Sequence, residues 1–201
     1  MISETCLQPV RTNSFGIKLN WSALLVATLS FHLVLLFGTA GCGSKPHYKP
    51  FRFEGDPGEY LSTTWTLRST VHIESTPTAL RCEVKADPQA TVDAYGGVIL
   101  PANNCKEWRL DMAFTEPAAI LVAYVDAYNV QKKRVARWQT TWGEKLSPDR
   151  YVHTFGSQQG TMDFKPIPSD GRGSIDKIHV FVRLKPGTQG SFEIHGVELA
   201  K

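Results

Sequence analysis

From residue 65 onward, apolar and polar side chains alternate in short runs broken by Pro, Gly, Asn and Asp. A period of two sends successive side chains to opposite faces, so the pattern predicts half-buried strands. Residues 108–114 place Trp108, Leu110, Met112 and Phe114 in one phase, and 178–184 do the same with Ile178, Val180, Val182 and Leu184. The runs 119–128 and 134–142 flank Asn129-Val130-Gln131-Lys132-Lys133, which predicts a long hairpin with a five-residue loop. Further strands are expected at 69–74, 79–84, 97–100, 151–155, 161–165 and 191–199. No segment of this part keeps a helical period over ten residues. About ten short strands in one unit mean an all-β fold, a sandwich or a barrel.

The beginning of the chain follows a different pattern. Residues 21–41 are almost wholly apolar, with Arg11 and Lys18 upstream. The run is the length of a bilayer-spanning helix, about 20 residues, and its basic flank is that of an export leader. It ends in small residues, Gly38-Thr39-Ala40-Gly41, followed at once by Cys42. That junction resembles the lipobox of bacterial lipoproteins, with Thr39 where the family usually has Leu. The resemblance implies a signal peptide at 1–41, cleavage before Cys42, and a lipid on the Cys42 thiol that tethers the remainder to a membrane of the cell envelope. A plain signal peptide or an uncleaved anchor are the alternatives, and all three export the globular part. Residues 42–52, with two prolines and several cations, read as a tether, and 53–201 as one domain large enough to bury a core.

Removing Arg11, Lys18 and Glu4 from the chain's 22 basic and 19 acidic residues leaves 20 and 18. So even a balance provides no field for nucleic-acid binding. Cys82 and Cys105 are the remaining cysteines. In an exported protein such a pair is expected to form a disulfide, with two buried thiols as the alternative.

Phe53-Glu54-Gly55-Asp56, Trp65, Gly96-Gly97 and Trp108-Arg109-Leu110 together resemble the opening of galactose-binding-like jelly rolls, which include many carbohydrate-binding modules. Residues 175–182 and 190–199 resemble their last two strands. The resemblance implies a jelly-roll β-sandwich that binds carbohydrate without catalysis. It also implies a structural calcium with Glu54 as its first ligand, although His195-Gly196 stands where the second acidic ligand is expected.

The polar phases of the strands hold the candidate binding groups. Tyr124, Asp126 and Tyr128 share one phase, beside Ile120 and Val122. Across the hairpin Arg137, Gln139 and Thr141 share another, while Trp138 and Trp142 take the opposite one. Arg109 with Asp111, and His179 with Phe181 and Arg183, lie in the outward phases of their strands. Flat rings stack on sugar C–H faces, and forked guanidinium and carboxylate groups bond paired hydroxyls. Trp108 and Trp138 are expected in the core. The chain has no Gly-x-Ser-x-Gly, His-Glu-x-x-His or Walker-type motif, so a binding module is the leading expectation. A lipoprotein that docks a protein partner is the main alternative, and a hydrolase with an unrecognised site a third.

Overall fold

The computed structural model describes residues 46–143, 146, 150–156, 164–167 and 173–201. The leader, Cys42 and most of the strand expected at 161–165 lie outside the described residues. Eleven strands, and no α-helix, are found among those described: β1 (Tyr48–Pro50), β2 (Ser69–Thr76), β3 (Ala79–Ala86), β4 (Ala94–Cys105), β5 (Glu107–Glu116), β6 (Ile120–Tyr128), β7 (Arg134–Gln139), β8 (Arg150–Phe155), β9 (Lys165–Ile167), β10 (Ile175–Leu184) and β11 (Gln189–Ala200). They form two antiparallel sheets. One runs β2-β3-β11-β5-β8, with β1 beside the C-terminal part of β11; the other runs β4-β10-β6-β7-β9. The result is a sandwich, one of the two forms the alternation allows, and is consistent with the jelly roll that the resemblance implies.

One core fills the space between the sheets. The inward phase of β10 (Ile178, Val180, Val182, Leu184) meets that of β5 (Trp108, Leu110, Met112, Phe114), and all of these are buried. Trp108 of the six-stranded sheet touches Trp138 of the five-stranded one edge to face at 5.1 Å, and Phe155 lies against both. Truncating so large a buried side chain costs about 3–5 kcal/mol, because the cavity relaxes only in part. The chain crosses between sheets at the β4–β5 turn, where Asn103 and Asn104 take φ of 50° and 61°. Asn tolerates this left-handed region better than most residues.

Three expectations change. Within the segment read as a tether, Tyr48–Pro50 pairs with Glu198–Ala200 and the Phe51 N–H donates to the Val197 carbonyl, so the domain begins before Phe53. Free edge on β11, left open where β3 ends, explains the extra strand. Cys82 and Cys105 are separate buried thiols rather than a disulfide. Cys82 lies opposite Phe192 in one sheet and Cys105 opposite Ile175 in the other. Burial raises both thiol pKa values, that of Cys105 to about 11, so neither is a ready nucleophile. In β6, finally, the pairing with β10 slips between Arg183 and Leu184, which turns Ile120 into the core while Val122 stays outside.

Candidate functional site

The outer face of the five-stranded sheet gathers most of the candidate residues. Register sets them in rows across the strands. Phe181 faces Gly97 on one side and Tyr124 on the other, with Gln139 next beyond; His179 faces Asp126, which faces Arg137. A Cβ on Gly97 would lie 2.4 Å from the Phe181 Cβ, so only glycine lets β4 approach β10 here. The Ser62 N–H donates to the Gly97 carbonyl, and Leu61 and Leu67 bridge to Val98 and Tyr95. In this way the segment between them is carried along β4 and Trp65 is laid over the sheet.

Trp65 stacks on Phe181 at 4.4 Å, nearly parallel, and Tyr124 stacks on Phe181 at 4.7 Å. The Arg137 guanidinium lies 4.9 Å from the Tyr124 ring centre and 5.4 Å from that of Trp65. It also makes two 2.7 Å hydrogen bonds to Asp126, whose side chain is 0% exposed. A forked donor against a carboxylate is the geometry that makes such a buried pair tolerable. Arg134 adds a second cation 3.8 Å from Asp126. The Tyr128 ring packs on His179 at 4.7 Å. The Trp65 indole N–H is buried and makes no hydrogen bond of ordinary geometry, although the Tyr128 hydroxyl is close enough to feel it. Burial raises the pKa of Tyr124 and of Tyr128, so both phenols are neutral donors at physiological pH.

Towards the other end of the face the side chains open to solvent. Arg183 is held by Asp93, its Nε 2.8 Å from Oδ2, and its guanidinium lies 4.2 Å from the ring centre of Trp142. Trp142 is 53% exposed. The alternation assigns Trp142 to the inner phase with Trp138. Strand β7, however, ends at Gln139, and beyond it the period of two no longer applies. Thr140 turns in to accept the Ala123 N–H, and Trp142 comes out beside Arg183. This residue, Trp65 and Tyr95 are the parts of the face that periodicity misses; for Trp65 and Trp142 no local signal exists, because both lie outside the strands.

Arg109 and Asp111 are not part of this face. They sit on the outer side of the six-stranded sheet, where Arg109 pairs with Glu198 at 3.6 Å and covers the Tyr48 ring at 4.0 Å. Asp111 accepts both forks of Arg150, its carboxyl held below the usual range chiefly by that hydrogen bond.

Two chemical alternatives can be weighed on geometry. The Ser62 hydroxyl and His179 Nδ1 are 2.9 Å apart, and Asp126 neighbours His179 in register. Ser62 is completely buried and Asp126 is spent on Arg137, so a substrate has no path to the hydroxyl and the carboxylate is not free to orient the imidazole. Burial moreover lowers the His179 pKa to about 4, so the ring is neutral and structural. As for calcium, no group of three His, Cys, Asp or Glu side chains is placed to hold a metal among the described residues. Glu54 is tied in through its carbonyl, which accepts from the Tyr60 hydroxyl, and His195 lies beside Glu193.

No protein-family model matches the chain, and no curated protein matches it. Among solved structures it is similar to carbohydrate-binding modules of the β-sandwich type. One, studied for promiscuous specificity within that superfamily, has 14% identity and a TM-score of 0.49; the match covers 78% of this chain but only 63% of that one. A family 27 module that recognises mannan has 14% identity and a TM-score of 0.43, with 79% and 99% covered. A family 29 module has 13% identity and a TM-score of 0.41, with 78% and 86% covered.

Proposed function

We propose that this domain is a non-catalytic carbohydrate-binding module, tethered to a membrane of the cell envelope through Cys42, that takes a saccharide of an envelope polymer on the outer face of its five-stranded sheet. The observation that carries the reading is the exposed Trp142 ring with the Arg183 guanidinium over it, 4.2 Å from the ring centre, and held in turn by Asp93. An exposed ring would stack on a pyranose face while the adjacent fork bonds its hydroxyls. Gln139 lies beside Tyr124 on the same face, and Tyr128 stands opposite Lys177 at the far end of that face. Tyr124, by contrast, is closed in by Phe181 and Arg137 and acts as the floor that sets their positions.

Affinity electrophoresis of the full chain in detergent against a panel of soluble polysaccharides tests the reading. One polymer is expected to retard the protein, and Trp142→Ala is expected to abolish the retardation with an unchanged melting temperature. Retardation by no polymer would turn the reading towards a protein partner.

A further inference from the structure

We propose that one end of the sandwich rests on an anionic membrane surface and stands the saccharide face upright on it. The inference rests on the tether reading above. The topology brings several segments to one end. Tyr48, where the domain starts, pairs with Ala200; Ala200 pairs with Glu107, just past the β4–β5 turn; and Cys105 at that turn pairs with Ile175, the start of β10. Lys177 in turn pairs with Tyr128, which opens the 129–133 loop. Strand β1, the last residues of β11, the β4–β5 turn and the hairpin tip therefore share one end of the domain.

That end is rich in lysine. Lys49, Lys106, Lys132, Lys133, Lys177 and Lys201 are all there and all exposed. Among the described residues none of Lys49, Lys106, Lys132 and Lys201 forms an ion pair. Among the described residues Glu107, Asp176 and Glu198 lie near them, and Glu198 is paired with Arg109. The opposite end is mixed, with Asp87, Asp93 and Glu116 set against Arg68, Lys85 and Lys185. Since the exported part as a whole is close to neutral, this is a segregation of charge rather than a general excess.

The hairpin tip adds an apolar contact. Val130 is 58% exposed at its apex. The loop beneath it is built: Asn129 Oδ1 accepts from the Gln131 and Lys133 N–H groups, and the Lys132 N–H donates to the Asn129 carbonyl. Lys132 holds a φ of 58° in this turn. An exposed valine beside lysines on a preformed loop suits a bilayer interface, where the apolar side chain dips between headgroups and the cations meet phosphates. Reach agrees: from a membrane-held Cys42 to Pro46 the chain spans at most about 14 Å. In this pose Trp142 and Arg183, near the other end of their sheet, point away from the membrane.

The test is amide hydrogen exchange on the full chain reconstituted in vesicles of phosphatidylcholine alone, or with about one third phosphatidylglycerol. Several lysines, each contributing through the anionic surface potential, are expected to slow exchange in 129–133 and 103–107 roughly tenfold or more on the anionic vesicles. Residues 140–143 are expected to exchange alike on both. Half-molar salt, or Lys106→Glu with Lys132→Glu and Lys133→Glu, is expected to erase the difference; the salt arm does not depend on how the variant folds. Equal exchange on both vesicles, with the chain floating on both, would overturn the end-on pose and leave the tether intact. A chain that floats with neither would overturn both.

Discussion

The two outer faces of this sandwich are built from similar residue types and do different things with them. On the six-stranded sheet, charges are paired across neighbouring strands in the open: Arg81 with Glu193, Arg109 with Glu198, Arg150 with Asp111. On the five-stranded sheet, Asp126 is fully buried beneath Arg137, rings stack three deep, and two guanidiniums lie on aromatic faces. The first face is a solvated surface whose pairs each contribute little. The second is a desolvated polar layer whose members depend on one another, and it ends in an exposed ring. Burial, not composition, separates them: an ion pair gains importance as water is withdrawn from it, and so does the cost of breaking it.

The largest expected effect is on the buried pair. Asp126→Ala should destabilise the fold by about 3–5 kcal/mol in denaturant titration, because Arg137 is left without its counterion. A loss below 1 kcal/mol would put this face on a par with the other. Next is the aromatic floor: Tyr124→Ala should cost about 2–4 kcal/mol, since its ring is held between Phe181 and Arg137. If that variant instead keeps its stability but loses polysaccharide binding, Tyr124 is a ligand platform and not a support. Third, the buried His179 should make stability depend on pH. Its folded pKa, about 4, lies below the ordinary 6.5, so the unfolded chain takes up a proton first. Stability is fully present above about 6.5 and is lost as pH falls towards 4. The melting temperature of His179→Asn should fall less over that window than that of the wild type. The smallest effect is on the open face, where Glu198→Gln should change stability by less than about 1 kcal/mol. A reductant should leave the melting temperature where it is, since the two thiols are not bridged.

Strand alternation reads the architecture of this chain well because it is local: a residue's face follows from its neighbours two places away. Trp108 and Trp138 were legible as core, and the Asn129–Lys133 loop as a hairpin tip, on that basis alone. The same logic fails wherever a strand slips or stops. Alternation puts Ile120 outside because a bulge has no signature in the order of side chains, and puts Trp142 in phase with Trp138 because it does not show where β7 ends. Cys82 and Cys105 show a further limit, since an even count of cysteines says nothing about which sheets will hold the two thiols.

The order of residues by itself determined an all-β fold, its core phases and the polar side chains available on its faces. Only the tertiary structure decided which of those side chains share a surface. Arg109 and Asp111 alternate with core residues just as Arg137 and Asp126 do, and nothing local tells the pairs apart. The difference arises because β5 and β6 belong to opposite sheets, and because the segment carrying Trp65 folds back over one outer face and not the other. Those are contacts between residues far apart in the chain, and they are set by which strand edges can pair and which surfaces can close out water.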